Sequence, residues 1–206
     1  MTPDSSDRLE IPSTLQRATD GRLKAPLRVT PMEWPGLLLS GVLVIAFIAQ
    51  LASGDPLRWA VSAQTLSQGR FETLLTHMFA HGGLSHLLMN LSALFALSPI
   101  LVSRLGLSPR GWLRYFVFFV LSGLIGGLTY LAIHPMGAVP MLGASGAICG
   151  LWGAIARIGP DAELLPLRSR HTMRVVRDFI VANAILFALV FLLVLITRGQ
   201  GGLAWE

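Results

Sequence analysis

Five apolar segments divide this 206-residue chain, and the fourth is too short to cross a bilayer. They run from about Pro35 to Ala52, Leu84 to Val102, Trp112 to Ile133, Ser145 to Ile158 and Phe179 to Thr197. A spanning helix needs ~20 residues to cross a hydrocarbon layer ~30 Å thick. The fourth segment has about fourteen, or roughly 21 Å of helix. With Arg157 near one surface, its Ser145 end stops below the other. Non-helical backbone at that depth is tolerated only beside protein or a water-filled cavity. Length alone therefore predicts a buried, hydrated serine at the mouth of a short helix.

Composition fixes the class. Charged residues make up 13% of the chain, about half the share usual in a soluble domain, and mean hydropathy is +0.63. With the apolar residues gathered in long runs, this predicts an all-α integral membrane protein. The single cysteine, Cys149, excludes an internal disulfide and a cysteine-rich metal site. The net charge of +5 is explained by topology rather than by nucleic acid.

Thirteen of the sixteen Lys and Arg residues fall on one side of the five segments, in the tail and the second and fourth connections. Arg58, Arg70 and Arg198 fall on the other. The positive-inside rule places the N-terminus in the cytoplasm and the Ser145 end near the outer surface. Residues 1–34 read as a polar cytoplasmic tail and 35–206 as a transmembrane domain. The first connection, Ser53 to Gly83, is long and only partly polar. It predicts short helices at the interface, with Trp59 and Phe71 as anchors.

Two clusters carry candidate chemistry. His86 and Asn90 stand four apart and share a helical face. Polar side chains inside a membrane face protein or water and often mark function, although they also serve as packing hydrogen bonds. Both donate, which suits an oxyanion hole beside a nucleophile. Ser145 lies in Gly143-Ala144-Ser145-Gly146. A serine between small residues is itself a common packing device, and Gly146 and Gly150 form a small-xxx-small pair. Gly143 and Gly146 add backbone freedom, and a helix N-terminus offers free amides.

Together the string from Thr76 to Asn90, with His77, His81, His86 and Asn90, and the later Gly-x-Ser-Gly resemble the rhomboid family of intramembrane serine proteases. The resemblance runs from roughly Pro35 to Glu206. It implies a six-helix core with a membrane-embedded first loop and a Ser–His dyad in a water-filled cavity. Ser145 would be the nucleophile, and His86, Asn90 and the Ser145 amide would hold the oxyanion. Leu57-Arg58-Trp59 and Phe71 would lie in the first loop, in Arg-Trp order where the family often has Trp-Arg. The expected fold class is a rhomboid-like helical bundle with five transmembrane helices of an expected six.

The family's general base is a histidine on the sixth helix, usually within Ala-His-x-x-Gly, and no such sequence occurs here. The chain ends Gly-Gly-Leu-Ala-Trp-Glu, as if just before that helix, so the transmembrane domain is expected to be incomplete at its C-terminus. Without a base, a serine hydroxyl is a poor nucleophile at neutral pH. His77 and His81 read as ordering the first loop, His134 as a loop residue, and His171 lies on the cytoplasmic side. Cys149 reads as a small packing residue.

The expected activity is an endopeptidase acting on single-span membrane proteins near the outer surface, with lipid and transmembrane substrates as partners. Neither a metal nor an organic cofactor is implied. The expected location is a bacterial plasma membrane. The alternative is a catalytically inactive rhomboid-like protein that binds transmembrane segments. A small transporter fits less well, because no span carries a charge near its centre.

Overall fold

The computed structural model describes residues 30–199 apart from residue 138, so the tail at residues 1–29 and the last seven residues lie outside it. Seven α-helices occur among the described residues: α1 Trp34–Ala52, α2 Ala63–Ser67, α3 Thr73–Thr76, α4 Leu84–Leu105, α5 Pro109–Ile133, α6 Ser145–Arg157 and α7 Arg170–Gly199. All five apolar segments are helical. Helices α1, α4 and α5 are long and apolar enough to cross a membrane, whereas α6 has only 13 residues. Helix α7 starts nine residues before its apolar run, at Arg170 rather than Phe179. The added turns are polar and basic, and nothing in them breaks a helix.

Local chemistry sets the helix starts. Pro35 sits in the first turn of α1, and Pro109 in that of α5. A missing N–H does no harm there, since those donors lack helical partners anyway. Ser108 caps α5 by accepting from the Gly111 amide. In the first connection, Ser62 and Thr65 form a reciprocal capping box that starts α2. That connection folds as expected into short helical pieces, a 3-10 turn at Pro56–Trp59 followed by α2 and α3. Phe71 is exposed and Trp59 half-buried, with the Trp59 carbonyl accepting from Thr76.

Helix α6 packs against α4, α5 and α7. Its Ala147, Ile148, Leu151, Ala154 and Ile155 are buried, forming the core with Leu94, Leu101 and Phe119. The α5 contact is close because small residues meet there. A Cβ on Gly126 would come within 3.2 Å of the Gly146 Cα, and one on Gly150 would overlap Ser122. Without a hydrophobic drive between helices in lipid, such close packing supplies much of the association. Helices α4 and α5 are also joined by a buried Ser98–Tyr115 hydrogen bond of 2.6 Å. Ile45, Ile48, Leu121, Ile125, Ile185 and Leu189 face outward. That surface suits lipid and not water, and the chain is an integral membrane protein.

Candidate active site

Ser145 is the first residue of α6, preceded by the N-cap Ala144, which supplies no side-chain cap. The first amides of the helix therefore have no intrahelical acceptor and are available to an anion. The turn into the helix depends on Gly143, whose φ is +122°. That value lies where side-chain-bearing residues are strained. Space excludes a side chain as well: a Cβ at 143 would stand 2.6 Å from Cε1 and 2.8 Å from Nε2 of His86. The His86 ring thus rests on the backbone two residues before Ser145.

Two contacts with the first connection hold this turn. The Gly143 amide donates to the His77 carbonyl at 2.8 Å, and Met141 forms an isolated antiparallel bridge with Val61. His77 is itself wedged against α5, where its ring fills the space beside Gly127. Gln50, near the end of α1, clamps His81 from both directions. Its Oε1 accepts from the His81 amide and its Nε2 donates to the His81 carbonyl, each at 2.9 Å.

His86 is half-buried, with its ring edge-on to that of His81 at 5.3 Å. Its Nδ1 accepts from the Gly82 amide at 3.4 Å. A neutral imidazole that accepts at Nδ1 carries its proton at Nε2, so the donor sits on the Gly143 side. Burial pushes His81 down to about 4, with the neighbouring His86 adding to the effect. Burial also lowers His77, against backbone hydrogen bonds that favour its charged form. Both rings are neutral at pH 7, as structural members of the loop.

Asn90 is buried, and its amide donates to the His86 carbonyl at 3.0 Å, one turn back on α4. One of its two N–H groups is thereby engaged within its own helix.

Ser145 departs from expectation: it is exposed on the bundle. Burial belongs to the face of α6 turned to α4 and α5. Ser145, Cys149 and Gly153 recur every fourth residue on another face, and all three are exposed. Segment length measures depth in the bilayer, which is not the same as being covered by protein.

The remaining histidines are apart from the serine. His134 stacks on Tyr130, and its Nδ1 lies 3.1 Å from the Tyr130 carbonyl. His171 donates from Nε2 to the Ile155 carbonyl at 3.0 Å, ten residues and about 15 Å along α6 from Ser145. Cys149 lies one turn from Ser145 beside an apolar cavity of about 210 Å³, lined also by Trp152, Val175 and Phe179. Among the described residues, no group of three or more His, Cys, Asp or Glu side chains is arranged to hold a metal ion. Sequence reasoning missed Gln50, Arg104 and Thr172. A glutamine in the last turn of an apolar span was the available sign for the first. Nothing local marked the partners of the other two.

These features define a helical membrane bundle with a serine at the open N-terminus of a short central helix, beside an imidazole donor. The rhomboid domain family matches residues 68–205, more than half of the chain. The chain belongs to the rhomboid family. It is 32% identical over 129 residues to YdcA of Bacillus subtilis (strain 168), whose name assigns it to the rhomboid proteases. That match covers 62% of each protein. RHOMBOID-like protein 5 of Arabidopsis thaliana is 30% identical over 96 residues, or 47% of this chain and 29% of that protein. The chain thus matches less than two thirds of the length of either relative.

Proposed function

We propose that this chain carries the nucleophile and oxyanion half of an intramembrane serine endopeptidase, acting on single-span proteins near the outer face of a bacterial plasma membrane. One observation carries the reading: the His86 ring rests on Gly143, two residues before Ser145 at an uncapped helix start. The Ser145 Oγ attacks the scissile carbonyl carbon. A C–O bond forms, the carbonyl π pair moves to oxygen, and the serine proton passes to a general base. The Ser145 amide and His86 Nε2–H meet the oxyanion, and the second N–H of Asn90 is available to join them. Each strong donor is worth roughly 3–4 kcal/mol in the transition state. Collapse of the intermediate breaks the C–N bond and returns the proton to the leaving amine, and water then releases the acyl group.

The rhomboid resemblance assigns the base to a histidine in Ala-His-x-x-Gly, a sequence absent from these 206 residues. A second reading is a rhomboid-like protein that binds transmembrane segments without cutting them. The native product of the gene, reconstituted in liposomes with a single-span substrate, separates the two. Proteolysis that disappears in Ser145→Ala supports the first. Proteolysis that survives in Ser145→Ala refutes the nucleophile assignment. Substrate retention with neither cleavage nor fluorophosphonate labelling establishes the second.

A further inference from the structure

The far end of α6 is tied down by side chains from two other helices. Arg104, in the last turn of α4, donates through Nη1 to the carbonyls of both Ile155 and Ile158. His171 donates to Ile155 as well, and Thr172 Oγ1 donates to Ala156 at 2.8 Å. The last carbonyls of a helix lack internal partners, so these groups satisfy it. The source of the arginine gives the cluster a further consequence. Helix α4 carries His86 and Asn90 in its first turns and Arg104 in its last. Helix α6 carries Ser145 in its first turn and the acceptors in and just after its last. Each helix thus contributes one half of the site at one end and one half of the clamp at the other.

We propose that Arg104 is a positioning residue that fixes the axial register of α4 against α6, and so the height of His86 relative to Ser145. The small-residue contacts of α6 with α5 are made through van der Waals surfaces, which tolerate sliding along the axis. Hydrogen bonds to two carbonyls are directional and do not. Both bonds leave one nitrogen, Nη1, whose N–H directions the planar guanidinium fixes, whereas an ammonium is a rotating point of charge on a flexible stem. Displacement of about 1 Å at a reacting pair is enough to lower turnover by 10²-fold. The register itself is independent of any function. Its catalytic meaning rests on the roles proposed above for Ser145 and His86, which the Ser145→Ala assay tests separately.

The test is side-chain nitrogen NMR of the full chain in detergent micelles, labelled with ¹⁵N-histidine and assigned by single His→Gln variants. Arg104→Gln is expected to move the His86 lines, about 27 Å away along α4. The His171 lines, beside the lost contact, move in any case, and those of His134 stay in place as a control for global change. Arg104→Lys, which keeps the charge without the planar group, gives a smaller His86 displacement. His86 lines at their wild-type positions in a folded Arg104→Gln variant overturn the proposal. If that variant does not fold, wild-type His86 lines in Arg104→Lys overturn it equally.

Discussion

The two ends of α6 are built on opposite principles. At the C-terminal end, three side chains and the bridge between Ile158 and Leu164 satisfy the helix carbonyls. At the N-terminal end no side chain caps the helix, and the serine stands exposed. There the chain is held through backbone instead, by Gly143 to His77 and Met141 to Val61. A short helix with one end fixed and one end unsatisfied can present free amides at a defined place. Capping both ends would add stability and remove the free donors, a familiar exchange between stability and function.

Gly143→Ala breaks the N-terminal end most severely. It places a side chain at φ +122° and drives it into the His86 ring. Backbone strain of 1–3 kcal/mol and overpacking of similar size predict about 3 kcal/mol of destabilisation together. Proteolysis in liposomes should fall by at least 10²-fold, because the displaced groups are the ones proposed to react. Wild-type turnover in this variant would dissociate the Gly143–His86 contact from catalysis.

Gly150 and Gly153 test the two faces of α6. A Cβ on Gly150 would lie 2.3 Å from the Ser122 Cβ, whereas Gly153 has no atom within 4 Å. Gly150→Ala is expected to destabilise by about 1–3 kcal/mol, since the clash is with a Cβ that rotamer changes cannot move. Gly153→Ala should be neutral or stabilising by up to about 1 kcal/mol through helix propensity. Unfolding titrations in mixed micelles compare them. Equal effects would mean that the two faces are not distinguished by packing.

Thr172→Val breaks the C-terminal end more gently. Thr172 is buried, and its hydroxyl serves the carbonyls of Ala156 and Pro166. Losing that donor leaves buried acceptors unpaired, at about 1–3 kcal/mol. The same titration should register this loss, while the NMR lines of His86 stay in place because Arg104 still holds the register. A moved His86 would spread the clamp over the whole cluster and not over Arg104 in particular.

The contrast also explains what could be read from the sequence. The helices were visible because hydropathy is a property of consecutive residues, and the shortness of α6 needs only counting. His86 and Asn90 were visible as polar residues four apart in an apolar run. The clamp was not, because Arg104 and Ile155 are 51 residues apart and a backbone acceptor has no sequence signature. The Val61–Met141 bridge was hidden for the same reason. The exposure of Ser145 on the bundle was not legible, because helix length reports depth, and cover depends on which face of α6 its neighbours occupy.

The smallest expected effect is one of pH, and it acts only at the N-terminal end. His81 falls from an ordinary 6.5 to about 4 on folding because it is buried and then because His86 adjoins it. Burial lowers His77 in the same direction. Between pH 6.5 and 4 the unfolded chain therefore takes up protons that the folded loop refuses. Stability falls as pH drops through that window and is retained in full above it. Opening of the loop alone relieves the penalty, so little of it reaches global unfolding. The expected result is a shallow decline in unfolding midpoint below pH 6.5, reduced in His81→Gln. Hydrogen exchange should locate the loosening in the first connection, with Gly143 among the affected amides through its bond to the His77 carbonyl, while the amides near Arg157 stay protected. Equal loosening at both ends of α6 would remove the distinction between a loop-held N-terminal end and a clamped C-terminal one.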